Sequence, residues 1–119
     1  MSAIAPRPAA PPAADAFALA RFFRVLADPT RLRIITLLGD GERTVGEIVQ
    51  AVGGLQPRVS AHLACLRHCG FVETERRGRE VIYRLSVDRL GRLLALGANV
   101  AAPRAEHLAT CDRIGPDWV

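Results

Sequence analysis

The chain has 119 residues, half of them apolar but only 5% aromatic, and it carries a formal net charge of +4. This length allows one domain, and the shortage of aromatic residues favours a helical core of Leu, Val, Ile and Ala. Early prolines exclude a secretory signal, and no run approaches the roughly 18 apolar residues of a membrane span. We therefore expect a cytoplasmic protein with reduced cysteines and no membrane partner, whose positive charge permits a nucleic-acid partner.

The first two helices are predicted from the residues at which they start. Asp15 can cap a helix that runs to about Ala27. Asp28 and Pro29 then begin a second helix, because Asp is a favoured N-cap and proline a favoured first helical residue. This helix continues to Leu38 and is rich in Leu and Ile, so we expect most of it to be buried.

A helix-turn-helix is predicted next. Thr44 and Glu47 fit a capping box that opens a short third helix. Two glycines supply a turn, and a fourth helix runs from about Pro57 to a glycine stop at Gly70. Apolar residues recur along one side of this fourth helix, at Val59, Leu63 and Leu66. A short helix, a glycine-containing turn and a second helix form the helix-turn-helix unit.

After the fourth helix the pattern becomes β-rich. Residues 71–75 and 80–85 flank an arginine-rich turn that contains Gly78, which predicts a hairpin. A long apolar helix follows over residues 87–102, and Pro103 interrupts it. The expected fold is mainly α with a β-hairpin wing (α+β), a winged helix-turn-helix. Its predicted parts are a disordered arm (1–14), the winged domain (15–102) and a C-terminal tail (103–119).

Arginines mark both elements that such a fold presents to DNA. A helix fits the major groove, where residues near its start read base edges, and arginines on a wing suit phosphates or a narrow minor groove. We expect base contacts from Gln56, Arg58, Ser60 and Ala61, and a phosphate contact from His62. Arg67, Arg76, Arg77 and Arg79 complete the expected DNA-binding set. The alternative interpretation is that the charged hairpin tip is only solvated.

Two of the three cysteines lie one helical turn apart on the fourth helix. Because Cys65 and Cys69 are at i and i+4, both sulfur atoms leave the same side of the helix and can approach one ion. Two thiolates alone make a poor site, and Cys111 is the only other thiol in the chain. Three thiolates select soft ions such as Cd(II), Pb(II), Hg(II) or As(III). The alternative is that Cys65 and Cys69 are small buried apolar residues.

Several segments together resemble the ArsR–SmtB family of winged-helix, metal-responsive repressors. They are residues 27–34 (ADPTRLRI), 59–63 (VSAHL) with Leu66, 70–72 (GFV), Gly78-Arg79 and Tyr83. Residues 63–70 (LACLRHCG) are similar to the cadmium- and lead-sensing CmtR-type branch of that family. In that branch two cysteines of the recognition helix are joined by a third from the C-terminal tail.

The resemblance implies a homodimer that binds double-stranded, palindromic operator DNA and is released when Cd(II) or Pb(II) binds. The metal would join Cys65 and Cys69 to Cys111 of the other subunit. The first helix and the long helix 87–102 form the dimer interface in the family, which assigns to it Phe17, Leu90, Leu93 and Leu94. The third helix has no cysteine and helix 87–102 no histidine, so the family's arsenic-type and zinc-type sites are absent.

Other functions stay open at this point. The same thiolates would suit a mercury or arsenic sensor, and their oxidation would make a thiol-redox repressor that reductant reverses. A metal-sequestering protein with incidental DNA affinity would show no operator preference. We do not expect an enzyme, because Ser60 and His62 face different sides of the helix and the cysteines lack redox-enzyme spacing.

Overall fold

The computed structural model describes residues 12–114 and shows the predicted winged helix-turn-helix. In chain order its elements are α1 (Ala13–Leu26), α2 (Pro29–Gly39), β1 (Arg43–Thr44), α3 (Val45–Val52), α4 (Gln56–His68), β2 (Val72–Arg77), β3 (Glu80–Leu85), α5 (Arg89–Ala101), a 3-10 helix (Ala102–Arg104) and α6 (Ala105–Thr110). Most of the predicted arm (1–14) and the end of the predicted tail lie outside the described residues. Within residues 12–114 no helix is long and apolar enough to cross a membrane.

The predicted caps of α2 and α3 are confirmed. The Asp28 carboxylate accepts a hydrogen bond from the backbone N–H of Arg31 at 3.0 Å. Thr44 and Glu47 form the reciprocal capping box, with the Glu47 N–H donating to the Thr44 hydroxyl at 3.2 Å and the Thr44 N–H to the Glu47 carboxylate at 2.9 Å. These contacts satisfy donors that a helix start otherwise leaves unpaired, so both helices begin at defined residues.

The predicted cap of α1 is wrong by three residues. The helix begins at Ala13, after Pro12, and Asp15 lies in its first turn and not at the cap. A negative charge in the first turn is still favourable, because it faces the positive end of the helix dipole.

The sheet is antiparallel with strand order β1-β3-β2. Arg77 pairs with Glu80, so the hairpin turns through Gly78 and Arg79 alone. Gly78 has a φ of 63°, a backbone conformation that other residues rarely adopt, which explains the glycine at this turn. Strand β1 was not predicted, because two residues are too few to show an alternating pattern.

Helix α4 is held in the core by the predicted apolar stripe. Val59, Leu63 and Leu66 are fully buried and belong to one cluster with Ile34, Ile35 and Ile48 from α2 and α3. Gly70 follows α4 with a φ of 81° and turns the chain into β2. The opposite side of α4 is consequently left on the surface.

The Leu63→Ala substitution should lower the free energy of unfolding by about 2–5 kcal/mol, because it removes a fully buried side chain and leaves a cavity. The Leu55→Ala substitution is the matched control, since Leu55 is 75% exposed just before the same helix. Urea unfolding at one protein concentration measures both, and equal losses would contradict the packing described here.

Candidate nucleic-acid interface and thiol pair

The first turns of α4 present an exposed polar surface. Gln56, Arg58, Ser60 and Ala61 are all exposed, while Val59 between them is buried. The N-cap residue is Leu55, whose apolar side chain cannot cap the helix, so no side-chain hydrogen bond is made at this helix start. Exposed donors at the start of a helix are the arrangement that reads DNA.

The wing arginines are not equivalent. Arg76 and Arg79 are exposed and, among the described residues, make no ion pair or side-chain hydrogen bond. Arg77 instead pairs with Glu42, which precedes β1, and with Glu75 on its own strand. Arg77 therefore ties the hairpin to the rest of the sheet, which makes it a weaker candidate for a DNA contact than its two neighbours.

The ion pairs of Arg77 belong to a larger network. Arg84 on β3 donates to Glu73 at 2.9 Å and lies 3.5 Å from both Glu42 and Glu75. The hydrogen bond from Arg77, helped by the charges of Arg77 and Arg84, lowers the pKa of Glu42. Because these groups are exposed, each pair contributes little stability alone, and the network serves mainly to fix the orientation of the wing.

His62 lies on the flank of α4 opposite to Ser60 and Arg67. Its side chain is only 18% exposed, and its Nδ1 accepts a hydrogen bond from Arg31 Nε at 3.1 Å. The Nε2 atom faces Asp28, 4.0 Å from its carboxylate oxygen. The structure thus places the imidazole against the start of α2, and the phosphate contact predicted from the sequence stays a prediction.

The thiols of Cys65 and Cys69 interact with each other on consecutive turns of α4. Partial burial raises the pKa of Cys69, the neighbouring Cys65 raises that pKa further, and the positive charge of Arg31 partly offsets both. Neither thiol is in a disulfide, and Cys65 is half-buried while Cys69 is exposed. Two adjacent, accessible thiols fit a soft metal ion better than they fit a closed core.

Cys111 is not brought to this pair within one subunit. It is half-buried and follows directly after α6. Over residues 12–114 no group of three His, Cys, Asp or Glu side chains lies close enough to hold a metal ion. A three-thiolate site therefore needs a contribution from outside the single folded chain.

The predicted dimer interface is only partly on the surface. Phe17 is 68% exposed and Leu93 is also exposed, together with Phe23, Leu96 and Val100 on the same two helices. Leu90 was assigned to the interface, but it is 5% exposed and packs in the core of its own subunit, with Leu94 half-buried beside that core. The first turn of α5 packs inward before the helix reaches the surface, and the assignment of Leu90 to the interface stays a prediction.

An apolar cavity of about 430 Å³ opens beside Cys69. Its walls come from α1, the turn after α4, and α5, and they include Phe22, Phe71, Leu90 and Leu93. The thiol pair thus adjoins the two helices whose outer faces carry the exposed apolar residues.

Two residues of this site were not predicted. Glu42 anchors the wing through Arg77, and Arg31 holds His62, yet neither lies near its partner in the sequence. Arg31 lies in a recognisable helix-start segment, but no spacing connects that segment to the fourth helix. The only signal for Glu42 was its charge, which is shared by many exposed residues.

Comparisons with known proteins place the chain among transcriptional regulators. The family described as bacterial regulatory protein, arsR family, matches residues 28–74. The chain is 46% identical over 95 residues to a probable mercury resistance operon repressor of Streptomyces lividans, covering 80% of this chain and 76% of that protein. It is 47% identical over 77 residues to the HTH-type transcriptional regulator CmtR of Mycobacterium tuberculosis, covering 65% of each chain.

A solved structure supports the same assignment. The homodimeric winged helix-turn-helix DNA-binding domain Mb0332 of Mycobacterium bovis, a possible ArsR-family regulator, superposes with a TM-score of 0.65 at 37% identity. The match covers 83% of this chain and 94% of that one. The arrangement of α3, α4 and the wing is therefore that of a known class of DNA-binding domain.

The Cys65→Ser substitution should lower the pKa of Cys69, because it removes the thiol that disfavours ionisation next to it. The shift should be partial, since burial, the larger cause, remains. The pH dependence of Cys69 alkylation by iodoacetamide measures it, with the alkylated Cys69 peptide quantified by mass spectrometry in both proteins so that reaction at the other thiols does not count. An unchanged midpoint would show that the two thiols do not interact.

Proposed function

Because the chain belongs to the ArsR family of bacterial regulatory proteins, we propose that it is a metal-responsive repressor that loses its operator DNA when a soft thiophilic ion binds. It is a transcriptional repressor of the ArsR/SmtB type and not an enzyme. The proposed inducer is Cd(II) or Pb(II), and the proposed DNA-binding form is a metal-free homodimer.

One observation carries the proposal: the thiol pair and the DNA-reading residues lie on the same helix. Cys65 and Cys69 occupy one flank of α4, while Arg58 and Ser60 near its start are exposed to a duplex. A change in the position of α4 therefore acts directly on DNA contacts. A tenfold loss of operator affinity requires only about 1.4 kcal/mol of preference for the DNA-free form.

Cys111 is the proposed third ligand, supplied by the other subunit. The exposed apolar residues of α1 and α5 support a dimer through these helices, since isolated chains rarely leave such a surface uncovered. The cavity beside Cys69 adjoins the same helices, so a segment of the second subunit would reach the thiol pair there. Three thiolates then supply the soft, charged ligand set that Cd(II) and Pb(II) prefer.

The dimer would place two recognition helices on the half-sites of a palindromic operator. A two-fold axis repeats each α4 on successive major grooves, about one turn of DNA apart. Gln56, Arg58, Ser60 and Ala61 would face base edges, and Arg67, Arg76 and Arg79 phosphates. Arg77 would support the wing, because its guanidinium is already paired with two carboxylates.

Hg(II) is the second candidate inducer. The supporting observation is the 46% identity to a probable mercury resistance operon repressor, over more of this chain than the identity to CmtR. Hg(II) is satisfied by two thiolates in a linear arrangement, and Cys65 and Cys69 supply two. Whether metal binding depends on Cys111 therefore distinguishes Cd(II) or Pb(II) from Hg(II) as the inducer.

Titration of the metal-free dimer with Cd(II) should give ultraviolet thiolate-to-metal absorption that saturates at one ion per subunit. Cys111→Ser should weaken Cd(II) binding strongly but Hg(II) binding little, because only the first ion needs a third thiolate. Apparent affinity should rise with pH, since metal binding displaces a proton from Cys69, whose pKa is raised. No absorption with either ion would refute the metal site.

The same ions should release operator DNA, selected from a random-sequence library with the metal-free protein. Cys65→Ser protein should bind that DNA but keep it when Cd(II) is added, as measured by fluorescence anisotropy. Release from the Cys65→Ser protein at the same Cd(II) concentration would contradict a site on α4. Release that reductant reverses and a chelator does not would indicate thiol oxidation instead.

Substitution of the unpaired arginines should change the salt dependence of operator binding. Arg76→Ala and Arg79→Ala should each reduce the slope of log K against log salt by about 1, because each removes one phosphate contact. Arg92→Ala is the matched control, since it removes an exposed arginine from α5 and not from the wing. An equal effect from Arg92→Ala would show that only net charge matters.

A further inference from the structure

Arg31 on α2 makes hydrogen bonds to α1 and to α4, behind the recognition helix. Its Nη1 donates to the carbonyl oxygen of Val25 in α1 at 3.1 Å, and its Nε donates to His62 in α4 at 3.1 Å. Its backbone N–H donates to the Asp28 cap at the start of α2. The guanidinium thus has a fixed position relative to α1 and α2 before it reaches α4.

The contact with His62 restricts α4 in a way that apolar packing does not. The imidazole accepts through Nδ1, so the ring proton lies on Nε2, toward the Asp28 carboxylate at 4.0 Å. Buried apolar residues resist separation of helices but tolerate small rotations and shifts. A directional hydrogen bond to a charged donor tolerates less, and it is stronger than one between neutral groups.

We propose that Arg31 is a positioning residue that holds α4 in its DNA-reading position through His62. The proposal rests on the DNA-binding part of the proposed function. It gives His62 a role within the fold, and the phosphate contact expected from the sequence stays a prediction.

A double-mutant cycle on metal-free protein tests the positioning role without any metal. Arg31→Gln and His62→Leu should each weaken binding to the selected operator by about tenfold, and the double variant should lose no more than either alone. His62→Asn should retain most of the affinity, because its amide oxygen offers an acceptor near the position of Nδ1. Independent, additive losses would overturn the positioning role.

The matched control is Arg33→Gln. Arg33 lies on the same helix and is exposed, and it makes no side-chain hydrogen bond or ion pair among residues 12–114. Its substitution removes the same charge but not the contact with His62. It should cost less affinity than Arg31→Gln; an equal loss would show that Arg31 acts by charge alone.

A metal-free wild type that shows no preference for any DNA sequence would refute the proposed function. The contact between Arg31 and His62 is then still decided by the measurement that follows, which needs no DNA.

Nitrogen NMR of the His62 ring supplies a readout that loss of stability would not move. Metal-free wild type should show the Nε2–H tautomer with a hydrogen-bonded Nδ1, and Arg31→Gln should lose that hydrogen-bond shift. A His62 spectrum that is the same in Arg31→Gln as in wild type would contradict the proposal.

Discussion

The burial of one side of α4 is the constraint on which the rest of the molecule depends. Val59, Leu63 and Leu66 lie entirely within the core, where they pack among the isoleucines of α2 and α3. Because interiors are close-packed, three such residues on consecutive turns fix which way every other side chain of the helix points. The predicted base-reading residues, the thiols and the imidazole then lie on different parts of the helix surface. The position of each depends on how many residues separate it from the buried stripe.

The proposed metal ligands and the predicted DNA contacts lie on the same helix, an arrangement that would let a small domain couple two kinds of ligand. In many regulators the effector site and the DNA site are far apart, and a conformational change must pass between them. Here the path would be only a few side chains long. The energy required would be small, since about 1.4 kcal/mol of preference between two positions of α4 changes affinity tenfold. The hydrogen bond from Arg31 to His62 is one contact that holds α4 without filling the core.

The arginines of the wing also divide into two groups: those paired with carboxylates of the protein and those left unpaired on its surface. Glu42, Glu73 and Glu75 surround Arg77 and Arg84, so part of the basic charge of the hairpin is neutralised within the protein. That network joins the hairpin to the segment before β1 and limits its movement. Arg76 and Arg79, which lie beyond it, keep their charge for a partner. The hairpin therefore has fewer arginines available to a partner than its sequence contains.

The sequence by itself determined the structural features that depend on residues only a few positions apart in the chain. The caps at Asp28 and at Thr44 with Glu47, the buried stripe of α4, the glycine turns and the one-turn spacing of Cys65 and Cys69 are local, and periodicity or capping chemistry reveals each of them. Only the tertiary structure decided that Arg77 pairs with Glu42, that Leu90 points into the core, and that Arg31 donates a hydrogen bond to His62. Those contacts join residues on separate elements, whose approach is set by how helices pack and not by any repeat along the chain. For Cys111 both sources of information are needed. The sequence predicts it as the third soft ligand, and the fold of one subunit does not bring it to the other two cysteines.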